Sequence, residues 1–407
     1  MSLKTSVIIA DKKNVGRPGR GVATAIVLLV LTLQSHVPGI AQTKDSKARA
    51  GTSRLKVDTV NGFQVVTLAS GLDTPWDLSW GPDNWIWVTE RKGSISRVNP
   101  ENGSVSVAGT VDVIEISESG LMGLTFHPNF SSNPYVYVVY SYGTKREIKN
   151  RLVRLRFDGR ALGEPEVLLD GIPGAPNHNG ARLTVGPDGY LYVTTGDAQK
   201  ASLAQKPGSL AGKVLRLTLE GQPAPGNPFR NAVYSLGHRN PQGIAFHPHS
   251  RALYITEHGP ADNDEINRVQ KGKNYGWPKV RGFCDGDVWG EKRYCRNGEM
   301  VEPLAAWTPS IAPSGLDFYD ADLFSGWKGS LLFTTLKGSA LFRLGLSQDG
   351  KRVLHEKKHF EDHFGRLRDV LVGPKGEVYL ATSNRDGRAW PSSRDDRILR
   401  ITPRSKR

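Results

Sequence analysis

Apolar and polar residues alternate along this chain in short runs, and the runs recur. PWDLSWGPDNWIWVTE (Pro75 to Glu90), GLMGLTFHPNF (Gly120 to Phe130) and ARLTVGPDGYLYVTTGD (Ala181 to Asp197) share one grammar. GIAFHPHSRALYITEHG from Gly243, SGLDFYDADLFSGWKGSLLFTT from Ser314 and DVLVGPKGEVYLATS from Asp369 repeat it. Each is an apolar strand, a Gly/Pro/Asp turn and a second alternating strand, often followed by a third such as ISRVN, LVRLRF, KVLRLTL, LFRLGL or ILRIT. Period-two alternation bounded by such turns reads as hairpins. The turns lie about 45 to 70 residues apart, which fits four-stranded blades with insertions better than a solenoid of short fixed period.

The pattern therefore predicts an all-β fold, a six-bladed β-propeller of four-stranded antiparallel blades over residues 57–403. A sandwich or barrel with similar hairpins is the alternative. One domain is expected, because each blade adds its own packed layer and no Pro/Ser-rich or charged linker interrupts the repeats.

The first 42 residues differ. Lys12, Lys13, Arg17 and Arg20 precede the apolar run Gly21 to Leu33, and Pro38-Gly39-Ile40-Ala41 follows. That layout predicts a secretory signal peptide cleaved near Ala41, with an uncleaved N-terminal anchor as the alternative. Residues 43–56 read as a flexible segment. The expected location is periplasmic or secreted, with no stable membrane span in the mature chain.

An exported chain meets an oxidising compartment, and the only two cysteines, Cys284 and Cys295, lie close together in a polar insertion. A local disulfide is predicted there, since the CxxC spacing of redox or zinc chemistry is absent. The formal charge is +14, and the leader carries five Lys/Arg against one acid, so the remainder stays near +10. The Lys and Arg are dispersed rather than interleaved with aromatics in a patch, which argues against nucleic acid and toward a small anionic ligand.

Propeller symmetry places the loops that lead into first strands around one channel mouth. Asn177-His178-Asn179-Gly180 leads into the third repeat, Gly237-His238-Arg239-Asn240 into the fourth, and Arg366-Leu367-Arg368-Asp369 into the sixth, while Lys337 follows a strand of the fifth. Arg239, Lys337, Arg366 and Arg368 around one axis would repel one another without an anion, and guanidinium forks match carboxylates or phosphates. Taken singly, each also reads as a solvated strand end or an ion pair, Arg368 with Asp369 for instance. His178 is the candidate general base, and a buried structural histidine is its bland counterpart. The stretch Glu257 to Asn267 is rich in oxygen donors, and its Gly259-Pro260 turn can direct two carbonyls at a hard cation, although it lacks EF-hand spacing.

These residues resemble a known family. ESGLMGLTFHPNF, NHNGARLTVGPDGYLYVTTGD, SLGHRNPQGIAFHP, EHGPADNDEIN, KGKNYGWP, TTLKGSALFRL and GRLRDVLVGPKGEVYLAT run in family order over residues 65–402. The chain thus resembles the soluble, pyrroloquinoline quinone (PQQ)-dependent aldose sugar dehydrogenases of the glucose/sorbosone dehydrogenase family. The resemblance implies a six-bladed propeller that oxidises the anomeric hydroxyl of aldose sugars. It implies His178 as the base, and Arg239 as the stabiliser of charge on the quinone, with Asn240 beside it. It further implies Lys337, Arg366 and Arg368 on the carboxylates of PQQ, and Gly259 and Pro260 on a Ca2+ ion.

Two cofactor-contacting positions depart from the family pattern. Glu118 stands where a glutamine is usual, so it must turn away, be protonated or pair with a cation. Asn177 stands where some glucose-oxidising members carry an aspartate that orients the histidine. The insertion Val280 to Glu302, with Trp289 and Tyr294, either shapes the sugar pocket or covers a blade edge. Tyr275, Trp277 and Trp289 are the aromatic candidates for sugar contact, with packing the preferred reading of Trp277. The electron acceptor, a quinone or redox protein, is open, as is monomer against homodimer. A calcium-dependent, lactonase-like hydrolase and a non-catalytic binding propeller are the competing functions.

Overall fold

The computed structural model describes residues 55–286, 290–296 and 300–404. The leader, most of the segment 43–56 and Trp289 lie outside the described residues. Strands dominate, and the α-helix Glu291–Arg296 and the short 3-10 turn Ala201–Gln205 are the helical elements described.

The strands form six antiparallel sheets, five of four strands and one of five. The innermost strands are Pro75–Trp80, Leu121–Phe126, Gly180–Val185, Pro241–Phe246, Pro313–Tyr319 and Leu367–Val372. Each packs on the next, and the last packs on the first, so the ring closes. Six hydrophobic clusters fill the spaces between neighbouring blades. In one, Trp87 and Ile95 of blade one meet Leu121, Val136 and Val153 of blade two. Burial of both faces explains why second strands such as Leu191–Thr195 and Leu253–Glu257 are buried throughout, with Val and Ile where a one-sided sheet would carry polar residues.

The sixth blade departs from the expected four strands. Its first three strands come from the C-terminal part of the chain, and Phe63–Ser70 joins by pairing with Arg397–Pro403. Lys56–Val60 then adds a fifth, edge strand. The first and last described strands therefore share one sheet, and Phe63–Ser70 covers the edge of Arg397–Pro403 that would otherwise lie open.

Every innermost strand also carries a register shift at its start, between Pro75/Asp77, Leu121/Leu124, Gly180/Leu183, Pro241/Gly243, Pro313/Leu316 and Leu367/Asp369. A bulge re-aims side chains and leaves backbone groups unpaired. Six of them ring one end of the channel.

Candidate active site

At that end lies a cavity of about 460 Å³. His178, Arg239, Glu118, Asn177, Asn240, Lys337, Arg366, Arg368, Gly259 and Pro260 all line it, although they come from five of the six blades. Arg182, 4% exposed, ties blade three to blades one and six across the ring by pairing with Asp77 at 3.0 Å and Asp369 at 2.9 Å, and stacks on Trp76. Asp369 thus serves Arg182 and not its neighbour Arg368.

His178 sits in the left-handed region, φ 62°, held by a backbone N–H donated to Glu118 Oε2 and a carbonyl that accepts from Ala198. Gly196 packs against that carbonyl so closely that any Cβ would overlap it. The His178 Nδ1 lies 2.8 Å from Asp197 Oδ1, and the Asp197 carboxylate also accepts from Gln199 N–H and from the indole Nε1 of Trp277 at 2.8 Å. An acceptor at Nδ1 places the hydrogen there and leaves the Nε2 lone pair free. Among the described residues Nε2 makes no hydrogen bond, which suits a base facing a substrate.

Neither Asp197 nor the hydrogen bond by which Trp277 holds it was evident from sequence, where packing was preferred for the tryptophan. A signal did exist. Glu90 and Glu257 end the second strand of their repeats and Asp197 lies two residues past the end of its own, and each ties down a loop that leads into its blade. Glu90 accepts from Asp73 N–H, Asp197 holds His178, and Glu257 accepts from Arg239 N–H and His238 Nδ1.

Arg239 stacks over Trp277, with its Cζ 5.2 Å from the ring, and donates to the His258 carbonyl at 3.1 Å. Its Nε is buried without a partner, and burial pulls its pKa down despite Asp197 and Glu257 nearby. Arg368 is 5% exposed, donates to Gln242 Oε1 at 2.9 Å, and also leaves its Nε unpartnered. Burial pushes its pKa down to about 9, and Arg182 and Arg366 add to the push. Asn240 accepts from Gly180 N–H and Gln242 Nε2, while its own Nδ2 is buried and unpartnered. Arg366 is paired with Asp386 at 2.7 Å, and Lys337 is exposed with no ion-pair partner among the described residues. Burying donors without acceptors is costly, so the set points to an anionic ligand that completes it.

Glu118 neither turns away nor loses its charge. Its Oε1 lies 2.9 Å from Arg388 Nη2, from the loop after strand Val378–Thr382. Burial would push its pKa up, but His258, Arg388 and Arg368 together bring it below the usual carboxylate range. Asn177 does not orient the base in this arrangement; its Oδ1 accepts from Ser117 Oγ at 2.6 Å and from Arg388 at 3.4 Å. Arg388 was not anticipated, because nothing local marks a residue in a long blade-six loop as reaching blade two.

Gly259 and Pro260 line the cavity, and among the described residues their carbonyls accept no hydrogen bond. Asp264 fixes this turn through Gly259 N–H at 2.8 Å, and fixes the blade-five loop through Ser310, Ile311 and Ala312. Among the described residues no group of three or more His, Cys, Asp or Glu is arranged to hold a metal, so a cation at this mouth depends on backbone oxygens. Cys284 and Cys295 form the disulfide of the insertion, and Glu302 accepts from Cys284 N–H.

Fold and pocket together define a six-bladed propeller with a cationic, histidine-bearing channel mouth. Residues 72–394 match the family described as Glucose / Sorbosone dehydrogenase. The chain is 31% identical to quinoprotein glucose dehydrogenase B of Acinetobacter calcoaceticus, over 89% of this chain and 92% of that protein. It is 32% identical to aldose sugar dehydrogenase YliI of Escherichia coli, over 85% and 94%. The PQQ-bound aldose sugar dehydrogenase of Streptomyces coelicolor matches with a TM-score of 0.73 at 35% identity, covering 87% of this chain and 99% of that one. The chain belongs to the glucose/sorbosone dehydrogenase family.

Proposed function

We propose that this chain oxidises the C1 hydroxyl of aldose sugars to the lactone, with PQQ and Ca2+ bound at the channel mouth. The observation that carries the reading is the set of buried, unpartnered donors, Arg239 Nε, Asn240 Nδ2 and Arg368 Nε, gathered around a histidine with a free Nε2. A tricarboxylate fits that set, and the relatives named for quinoprotein and PQQ-bound sugar dehydrogenases support it.

When bound, PQQ would supply the two-electron acceptor that takes hydride from the anomeric carbon. His178 Nε2 would take the hydroxyl proton, while Asp197 holds the ring in place and stabilises the imidazolium that forms. Arg239 would present its guanidinium where negative charge develops. Lys337, Arg366 and Arg368 would hold the ligand's carboxylates, with Asn240 donating from Nδ2 and Glu118 and Asn177 framing the side near the base. Gly259 and Pro260 would offer carbonyl oxygens to the calcium ion, a hard cation that prefers such ligands. A quinone or redox protein would then reoxidise the enzyme, in the periplasm or outside the cell.

The test is dye reduction by the chain from residue 43, with PQQ and Ca2+ added, over a panel of aldoses and against His178→Ala. Sugar-dependent turnover that needs PQQ, Ca2+ and His178 supports the reading. Absence of PQQ binding overturns it and favours a hydrolase.

A further inference from the structure

A second cavity, of about 350 Å³, lies at the opposite end of the strands, where blade six meets blade one. Its walls come from the turns after Pro75–Trp80, Ser94–Val98 and Leu367–Val372. The innermost strands separate it from the catalytic mouth by about 17 Å, the five steps of about 3.3 Å across a six-residue strand.

The lining has an unusual composition for a surface hollow. Trp80 and Trp85 are half-buried there, and Tyr379 lies behind, its ring 6.0 Å from that of Trp80. Arg97 already covers one face of Trp85, with its Cζ 5.2 Å from the ring. Glu377 Oε2 is buried with no hydrogen-bond partner. Asn99 spends its Oδ1 on the backbone N–H groups of Glu101 and Asn102, which leaves its amide hydrogens unused. Lys375 pairs with Glu101 at 3.2 Å and Asp83 with Arg97 at 3.0 Å, and Arg400 donates to the Pro100 carbonyl in the wall at 2.8 Å, so the charges around the cavity balance and Glu377 Oε2 is an acceptor left unbonded.

The cavity therefore offers an indole flank, one orphaned acceptor and free amide donors in a wall whose charges balance, which suits a neutral ligand. A flat apolar face edged with hydroxyls answers each of these, since a hydroxyl both donates to a carboxylate and accepts from an amide. A quaternary ammonium would use the carboxylate but needs several open aromatic faces, and here Arg97 has taken one. We propose that this cavity is a second, non-catalytic site for a neutral pyranose, distinct from the pocket that holds His178. It would let the protein hold a carbohydrate chain or a second sugar while the opposite face works.

Methyl pyranosides test this, because their blocked anomeric oxygen leaves no C1 hydroxyl to oxidise. The purified full-length protein is titrated with a panel of them by calorimetry and saturation-transfer NMR. At least one is expected to bind, with affinity weakened ~10-fold by Trp80→Ala and several-fold by Glu377→Gln, and unchanged by His178→Ala. Dye reduction by free aldose is expected to stay within about twofold in both cavity variants. If Trp80→Ala fails to fold, Glu377→Gln carries the test, since it keeps the side-chain shape and removes the charge.

The proposal is overturned if no glycoside binds at roughly 50 mM. It is also overturned if binding survives both cavity substitutions, if His178→Ala abolishes it, or if choline displaces the glycoside. None of these outcomes depends on whether the catalytic reading holds.

Discussion

Asp197 and Trp277 are 80 residues apart in sequence and 2.8 Å apart in space, joined by the indole N–H donated to the carboxylate that also holds His178. The base is therefore positioned by two residues that touch neither substrate nor cofactor in the proposed arrangement. Asp197→Asn can present an amide hydrogen to Nδ1 and favour the wrong tautomer, so kcat is expected to fall about 10²- to 10⁴-fold with little change in KM. Trp277→Phe keeps the ring under Arg239 and removes one hydrogen bond, for a loss of about 10-fold. Steady-state dye reduction with a full sugar titration separates the two. Equal effects from both substitutions would refute this division of roles.

Arg368 is buried and has no carboxylate partner, so it weakens the empty protein. Arg368→Met is expected to raise the melting temperature of the apo form by a few degrees, through about 1 kcal/mol or more of relieved desolvation. The same change is expected to weaken PQQ binding by about 10²-fold, because charge-assisted hydrogen bonds are lost. Calorimetric melting with and without PQQ reads both signs. A variant less stable when empty would contradict the argument.

Glu118 places a negative charge in a pocket proposed for an anion. Glu118→Gln can still accept from His178 N–H, and the pair it breaks involves an Arg388 side chain that is 53% exposed and so contributes little. PQQ affinity is expected to rise several-fold, with kcat within about threefold of the parent. Fluorescence titration of PQQ checks the first part, and a loss of affinity would show that Glu118 contacts the cofactor as an acceptor.

His359 offers a pH test of the fold. It is 6% exposed, packed between Phe63 and Trp327, with its Nε2 buried and unpartnered. Burial, aided by Lys357 and Arg343, pulls its pKa down to about 4, below the 6.5 of a free histidine. The folded state therefore favours the neutral ring. The stability this contributes is fully present above pH 6.5 and is lost as pH falls toward 4. His359→Phe is expected to flatten the decline of melting temperature between pH 6.5 and 4; an unchanged slope would assign acid sensitivity elsewhere.

The architecture was legible because a propeller writes itself locally. Each hairpin of the repeat closes within about 20 residues, so turn residues and period-two alternation mark every blade in turn. Loops that lead into first strands were legible too, since the symmetry of the repeat carries them to a common mouth. That is why residues as distant as His178 and Arg368 could be grouped before their contacts were known. The fifth strand of blade six was not, because Lys56–Val60 pairs with a neighbour that is itself borrowed from the opposite end of the chain.

What the sequence determined by itself was the repeat, the family and the identity of the charged loops, since these depend on residue type and spacing. Only the tertiary structure decided which charges stay unpaired. Arg366 found Asp386, Glu118 found Arg388 and Asp369 found Arg182, while Arg239 and Arg368 found no carboxylate partner among the described residues. Pairing depends on distances of a few ångströms between blades, which alternation and turn chemistry leave undefined, because neighbouring blades meet through side-chain packing rather than through a hydrogen-bonded register.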